Sequence, residues 1–185
     1  MERKPVWGTC AGLILLAEAA NAIKKGGQEL IGGLDVRVNR NHFGRQVESF
    51  QADLNLPFLA QDAASPPFPG VFIRAPIVEK LLPNLKGPQQ DEQGIVDTVI
   101  APSRIARDHK AEAAMSTEVE VMGVLPGRLQ KTSKFGASVP AREEVGDIIA
   151  VRQGNVFGTS FHPELTADIR LHVWWLGQVI DAVAK

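Results

Sequence analysis

The chain has 185 residues, 44% of them apolar, which is enough for one good core, so a single domain spanning residues 1–185 is expected. A formal net charge of −1 argues against nucleic acid as the main partner, because phosphate binding needs a basic excess. One cysteine excludes an internal disulfide framework and points to a reducing compartment.

Glu2-Arg3-Lys4 leads directly into a strand-like Pro5-Val6-Trp7, without the pattern of a signal peptide. The longest apolar run, Leu13 to Ala17, is far too short to cross a bilayer. A soluble cytoplasmic protein without a membrane partner is the expectation. Gly8-Thr9-Cys10-Ala11-Gly12 follows, and Leu13 to Ile23 is rich in helix formers, so a buried helix is expected up to Gly26-Gly27. Leu34 to Val38 alternates apolar and polar residues, the period of a half-buried strand. Asn39 to Gln46 is polar and turn-like. Its arginines fit either a solvated loop or a carboxylate clamp.

Val47 to Leu54 reads as a strand, and a proline-rich loop from Asp62 to Pro69 delivers a short strand, Gly70 to Arg74. Pro83 to Gly94 breaks the pattern, Ile95 to Ala101 resumes it, and Pro102 to Thr117 reads as exposed. Glu118 to Val124 is a strand candidate, and Gly127 to Arg142 is loop-like. We therefore expect an insertion at about 84–146. Asp147 to Arg152 and Val156 to Phe161 flank Gln153-Gly154-Asn155 as a hairpin. A terminal helix is expected from Thr166 as N-cap to about Ala184, with Ile169, Val173, Trp174, Leu176, Val179, Ile180 and Val183 on its inner face.

Small-x-Cys-x-small between a strand and a helix has the form of a nucleophile elbow. Its glycines relieve the crowding of a sharp turn, and the helix dipole is expected to favour the Cys10 thiolate. A lone cysteine is more often a small buried apolar residue, so the reading needs a base with an orienter. His162-Pro163-Glu164 offers one: two residues apart in extended geometry point the same way, so Glu164 can hold one ring nitrogen while the other faces Cys10. His42, His109 and His172 lack such a neighbour.

Together these motifs resemble the triad of class I glutamine amidotransferases. Arg40-Asn41-x-Phe43-Gly44-Arg45-Gln46, Gly70 to Pro76 and Gln153 to Thr166 narrow the likeness to the glutaminase subunit of pyridoxal 5′-phosphate synthase, the PdxT/SNO family. The resemblance implies an α/β fold, a three-layer sandwich around a mostly parallel, flavodoxin-like sheet. It implies hydrolysis of L-glutamine without cofactor or metal, and ammonia passed to a separate (β/α)8-barrel synthase subunit. By position, Cys10 is the nucleophile, His162 the base and acid, and Glu164 its orienter. Arg40, Ile73 and Arg74 match glutamine-binding positions, and the Ala11 N–H is one oxyanion donor.

The family also has, ahead of the elbow, a segment with the first strands and a Pro-Gly-Gly-Glu-Ser loop that gives the second donor. No such motif occurs in these residues. Loss of one donor costs about a hundredfold to a thousandfold in rate. The expectation is an N-terminally truncated member that hydrolyses glutamine slowly, or binds the synthase subunit without hydrolysis.

Overall fold

The computed structural model describes residues 4–22, 28–40, 49–60, 62, 64–85, 87–102, 113, 117–126 and 146–184. The loop after Arg40, the charged stretch 103–112 and the basic stretch 127–145 lie outside them.

β1 (Val6–Thr9) leads into α1 (Ala11–Leu16), followed by β2 (Ala17–Asn21) and β3 (Leu34–Asn39). β4 (Ser49–Leu54) and β5 (Phe68–Ile73) form a separate antiparallel hairpin. Then come β6 (Ile77–Leu81), α2 (Gln90–Gln93), β7 (Thr98–Ile100), β8 (Glu120–Leu125), β9 (Asp147–Gln153), β10 (Val156–Thr159) and α3 (Arg170–Val183). The main sheet has the order β1-β10-β9-β6-β3-β2-β7, with β8 also on β9.

The α/β class holds, but the expected mostly parallel sheet is mixed. Only β1 with β10 and β2 with β3 run parallel, and the other described pairings are antiparallel. Short links enforce this. β9 and β10 are joined by the two-residue turn Gly154-Asn155, with Gly154 at φ 55, and so short a link permits only antiparallel neighbours. Two of the sheet strands, β7 and β8, come from within residues 84–146.

One face of the sheet packs with α1 around Leu13, Leu16, Leu34, Val36 and Val151. The other packs the β4–β5 hairpin and α3 around Phe68, Phe72, Phe157, Phe161 and Leu171. A layer thus lies on each side of the sheet.

The helix expected to reach Ile23 stops at Leu16. Ala17 turns extended (φ −71, ψ 149), and Ala17 to Asn21 is a strand hydrogen-bonded on both sides, to β3 and β7. Alanine favours helix by well under a kilocalorie per residue, and two sheet ladders outweigh that. The expected solvated face of β3 is also buried. Asp35 meets the Gln153 and Asn84 amides, and Arg37 meets Glu79, Glu92 and Thr98. Thr166 is not the cap of α3. The helix starts at Arg170, and Asp168 Oδ1 accepts the Arg170 N–H at 3.0 Å. The expected inner face is largely outward: Ile169, Val173, Leu176, Ile180 and Val183 are exposed, whereas Leu171 is buried and Trp174 and Trp175 pack on the core.

Glu92 is almost fully buried and accepts from Arg37 Nη1 at 2.9 Å and Lys80 Nζ at 2.7 Å, tying α2 to β3 and β6. Burial alone would raise its pKa, but the hydrogen bonds from Lys80 and Arg37 outweigh it and hold the carboxyl below its ordinary value. Its contribution to stability is therefore full above the unfolded pKa and lost as pH falls through the lower folded one. Glu92→Ala should lower the unfolding free energy by about 3 kcal/mol at pH 7, because Arg37 is left buried beside a lost partner. Urea titrations should show that deficit shrinking below about pH 4.

Candidate functional site

Gly8 and Gly158 face each other in register across β1 and β10. A Cβ on Gly8 would come within 2.5 Å of the Gly12 carbonyl carbon and 2.7 Å of Leu16 Cδ1. One on Gly158 would meet Leu13 Cδ1 at 2.6 Å. This pair makes a flat floor onto which α1 presses. Gly12, expected to relieve crowding with its own missing side chain, has open space at its Cβ position. Its backbone is instead what Gly8 must clear.

The chain turns from β1 into α1 at Cys10, with φ 47 and ψ −103, a conformation costly for a residue with a Cβ. Two contacts hold it. The Cys10 N–H donates to the Thr159 carbonyl at 2.7 Å, and the Trp7 indole N–H donates to Thr159 Oγ1 at 3.2 Å. Trp7 in turn packs against Phe157, His172 and Trp175. Sequence reasoning passed over Trp7 and Thr159, whose partnership spans nearly the whole chain.

β10 ends at Thr159, and Phe161 anchors the next segment between Phe68 and Phe72. The His162 N–H donates to the Val71 carbonyl of β5 at 2.8 Å. A 3-10 turn, Pro163–Leu165, then folds Glu164 back so that its Oε1 lies 2.7 Å from His162 Nδ1. The expected pairing of the two side chains is present, but a turn makes it, not extended backbone. A carboxylate on Nδ1 keeps a proton there and leaves Nε2 as the basic nitrogen. Among the described residues no hydrogen bond joins this ring to Cys10.

The Cys10 sulfur is half-buried, and burial chiefly pushes its pKa up. A hydrogen bond from the Ala11 N–H and the charge of Arg74 pull it down, while Glu164 pushes it up. The net is a thiol above its ordinary value, against the expected thiolate. α1 has only six residues, and its dipole does not offset desolvation and a nearby carboxylate. Burial would also raise Glu164, but the His162 hydrogen bond, its own backbone N–H and the charges of His162 and His172 hold it below the usual carboxylate value.

Arg74 stands just after β5 at φ 44 and lies within electrostatic range of the sulfur, as does Glu164. Ile73 closes β5 and is partly exposed. Arg40 is not brought beside Cys10 in the same way. It follows β3, and β10, β9 and β6 stand between β3 and β1. Its guanidinium is buried, its Nε has no partner, and desolvation lowers its pKa. Ser160 Oγ is likewise buried without a partner. No group of three or more metal-ligating side chains occurs among the described residues, and no helix there is long and apolar enough to cross a membrane.

A mixed α/β sheet with a strained cysteine at a strand-to-helix elbow defines the class of the amidotransferase-like α/β proteins. The chain belongs to the SNO glutamine amidotransferase family, whose model matches residues 1–109 and 128–181. It is 39% identical over 94% of its length to a protein of Arabidopsis thaliana described as a probable pyridoxal 5′-phosphate synthase subunit PDX2. It is 36% identical over 97% of its length to the pyridoxal 5′-phosphate synthase subunit PdxT of Thermococcus onnurineus. A solved glutamine amidotransferase structure superposes with a TM-score of 0.55 at 31% identity, covering 95% of this chain and 60% of that one. The chain spans 57% of the Arabidopsis relative and 61% of the Thermococcus one.

Alkylation of Cys10, the single cysteine, should be slow at neutral pH and accelerate only as pH passes a midpoint above that of a free thiol. Glu164→Gln should lower that midpoint and Arg74→Ala should raise it, as read from iodoacetamide rates against pH. Gly8→Ala should destabilise the fold by about 1–3 kcal/mol in urea titrations, because backbone stands where the methyl must go.

Proposed function

We propose that this domain hydrolyses the side-chain amide of L-glutamine to glutamate and ammonia. The observation that carries the reading is the juxtaposition at the carboxyl ends of two adjacent parallel strands. β1 ends in the Cys10 elbow, and β10 runs on into the His162–Glu164 pair. In this reading His162 Nε2 takes the thiol proton as Cys10 attacks the amide carbon, then delivers it to the departing ammonia. Water, activated by the same imidazole, cleaves the thioester. Glu164 fixes the ring and stabilises its charged form.

Burial pushes the Cys10 thiol pKa up, which supports a part for His162 as its base. The Ala11 N–H, bonded to the resting sulfur, is released to the oxyanion as the sulfur bonds to carbon. Arg74, whose charge reaches the sulfur, and its neighbour Ile73 bind the glutamine beside Cys10. The ammonia passes to a (β/α)8-barrel synthase subunit, the partner that the family resemblance implies; the relatives themselves are named as pyridoxal 5′-phosphate synthase subunits.

A second reading, docking on that subunit without hydrolysis, draws on the desolvation of the Cys10 sulfur, which pushes its pKa up. Ammonia release from glutamine, with and without the synthase subunit, separates the two. Under the first, Cys10→Ala and His162→Ala each reduce the rate by at least about a thousandfold, and Arg74→Ala raises KM more than it lowers kcat. A rate that Cys10→Ala leaves unchanged would sink the glutaminase reading.

A further inference from the structure

The segment after His162 and the loop before β5 are joined by a closed ring of hydrogen bonds. At one end the His162 N–H donates to the Val71 carbonyl at 2.8 Å. Beyond the turn that carries Glu164, the Thr166 hydroxyl donates to the Pro163 carbonyl at 3.2 Å, and the Asp168 N–H donates to Thr166 Oγ1 at 3.3 Å. Asp168 accepts from the Arg170 guanidinium on both oxygens, from Nε at 3.0 Å and from Nη2 at 2.6 Å. The same guanidinium crosses to the loop. Its Nη1 donates to the Pro66 carbonyl at 2.8 Å and its Nη2 to the Pro67 carbonyl at 3.1 Å. Pro67 leads into β5 and so back to Val71, which closes the ring. Phe161 adds an apolar contact, 5.8 Å from both the Phe68 and the Phe72 rings, and Arg170 Cζ stands 5.9 Å from the Phe68 ring.

We propose that Arg170 is a positioning residue for the His162–Glu164 pair: through Asp168 and Thr166 it braces the Glu164 turn against the loop that leads into β5. For its kinetic consequence the inference rests on the glutaminase reading. Half of the Glu164 side chain is open to solvent, so packing alone does not hold it on Nδ1, and the backbone of its turn must do so. The loop is not held by close packing either. A cavity of about 200 Å³, lined by Leu54, Leu56, Leu59, Pro66, Phe68 and Arg170, lies against it. Hydrogen bonds from Arg170 therefore fix where Pro66 and Pro67 stand. A helix cap or a surface ion pair would need Asp168 alone; the two carbonyls, more than 100 positions earlier in the chain, serve neither role. A planar fork spans the carboxylate and both carbonyls, whereas a lysine ammonium keeps the carboxylate and loses the span. β5 is also paired with β4 along its whole length, so Arg74 at its end keeps its place when the brace is cut.

The test labels the 185-residue chain with heavy nitrogen and asks which ring nitrogen of neutral His162 carries the proton. Long-range proton–nitrogen spectra read this at about pH 8.5, some two units above an ordinary imidazole. In the unsubstituted chain the proton is expected on Nδ1, facing Glu164. Glu164→Ala removes the acceptor and should return the proton to Nε2, the form a free imidazole prefers. Arg170→Lys and Thr166→Val break the ring at different links, and each should move His162 part of the way to the Nε2 form with circular dichroism unchanged. In ammonia release from glutamine with the synthase subunit present, both should lower kcat about tenfold or more and leave KM within about twofold. A tautomer indifferent to Arg170→Lys overturns the proposal, as does, in a chain that turns over, a kcat equal to the unsubstituted one. Loss of circular dichroism in both variants also overturns it, since the ring would then serve general stability. Where even the unsubstituted chain releases no ammonia, the glutaminase reading fails by itself, and the tautomer alone decides whether Arg170 positions the pair.

Discussion

The site depends on the parallel ladder between β1 and β10, which joins residues about 150 positions apart. It places Gly8 beside Gly158 and so lets α1 lie close on the sheet. It sets Thr159 where it can hold both Cys10 and Trp7. It also determines where β10 releases the chain toward His162. The strain at Cys10 is sustained by these contacts. No local preference of a cysteine favours φ 47, so a loosened ladder would let the turn relax and the sulfur swing from its place.

Charge is handled differently at the two ends of the molecule. Arg37, Glu92 and Lys80 form a closed network that ties α2 to β3 and β6, with Thr98 of β7 as a further acceptor for Arg37. Around Cys10 the arrangement is open. Ser160 Oγ is buried without a partner among the described residues, Arg74 has positive φ, and burial pushes the Cys10 thiol pKa up. An unsatisfied buried hydroxyl and strained backbone thus stand near the half-buried thiol, in contrast to the closed network around Glu92.

Much of this was legible in the sequence. The hairpin around Gly154-Asn155, the β5 strand ending near Arg74 and the His162–Glu164 pair follow from turn chemistry and short-range spacing, which act within a few residues. What failed to show needed distant partners. Ala17 to Asn21 reads as helix, and only the flanking β3 and β7 make it a strand. Leu34 to Val38 looks half-solvated, and only Glu92 and Gln153, far along the chain, show that its polar residues are buried. The expected thiolate erred for a related reason: the pattern reveals a helix start, but not the depth of the sulfur or the carboxylate beside it. The outward apolar stripe of α3 misled in the opposite sense, because periodicity identifies an apolar face without saying what covers it.

The separation of β1 from β10 has a consequence for biogenesis. On a ribosome β1 emerges some 150 residues before the strand it must pair with, a lag of roughly ten to thirty seconds at ordinary elongation rates. Throughout that interval the elbow cannot form, because Thr159 does not yet exist to hold it. The Cys10 turn is thus among the last parts of the domain to close. A nascent chain carries Cys10 in relaxed backbone, and any machinery that engages it co-translationally meets a flexible thiol that the finished fold later withdraws.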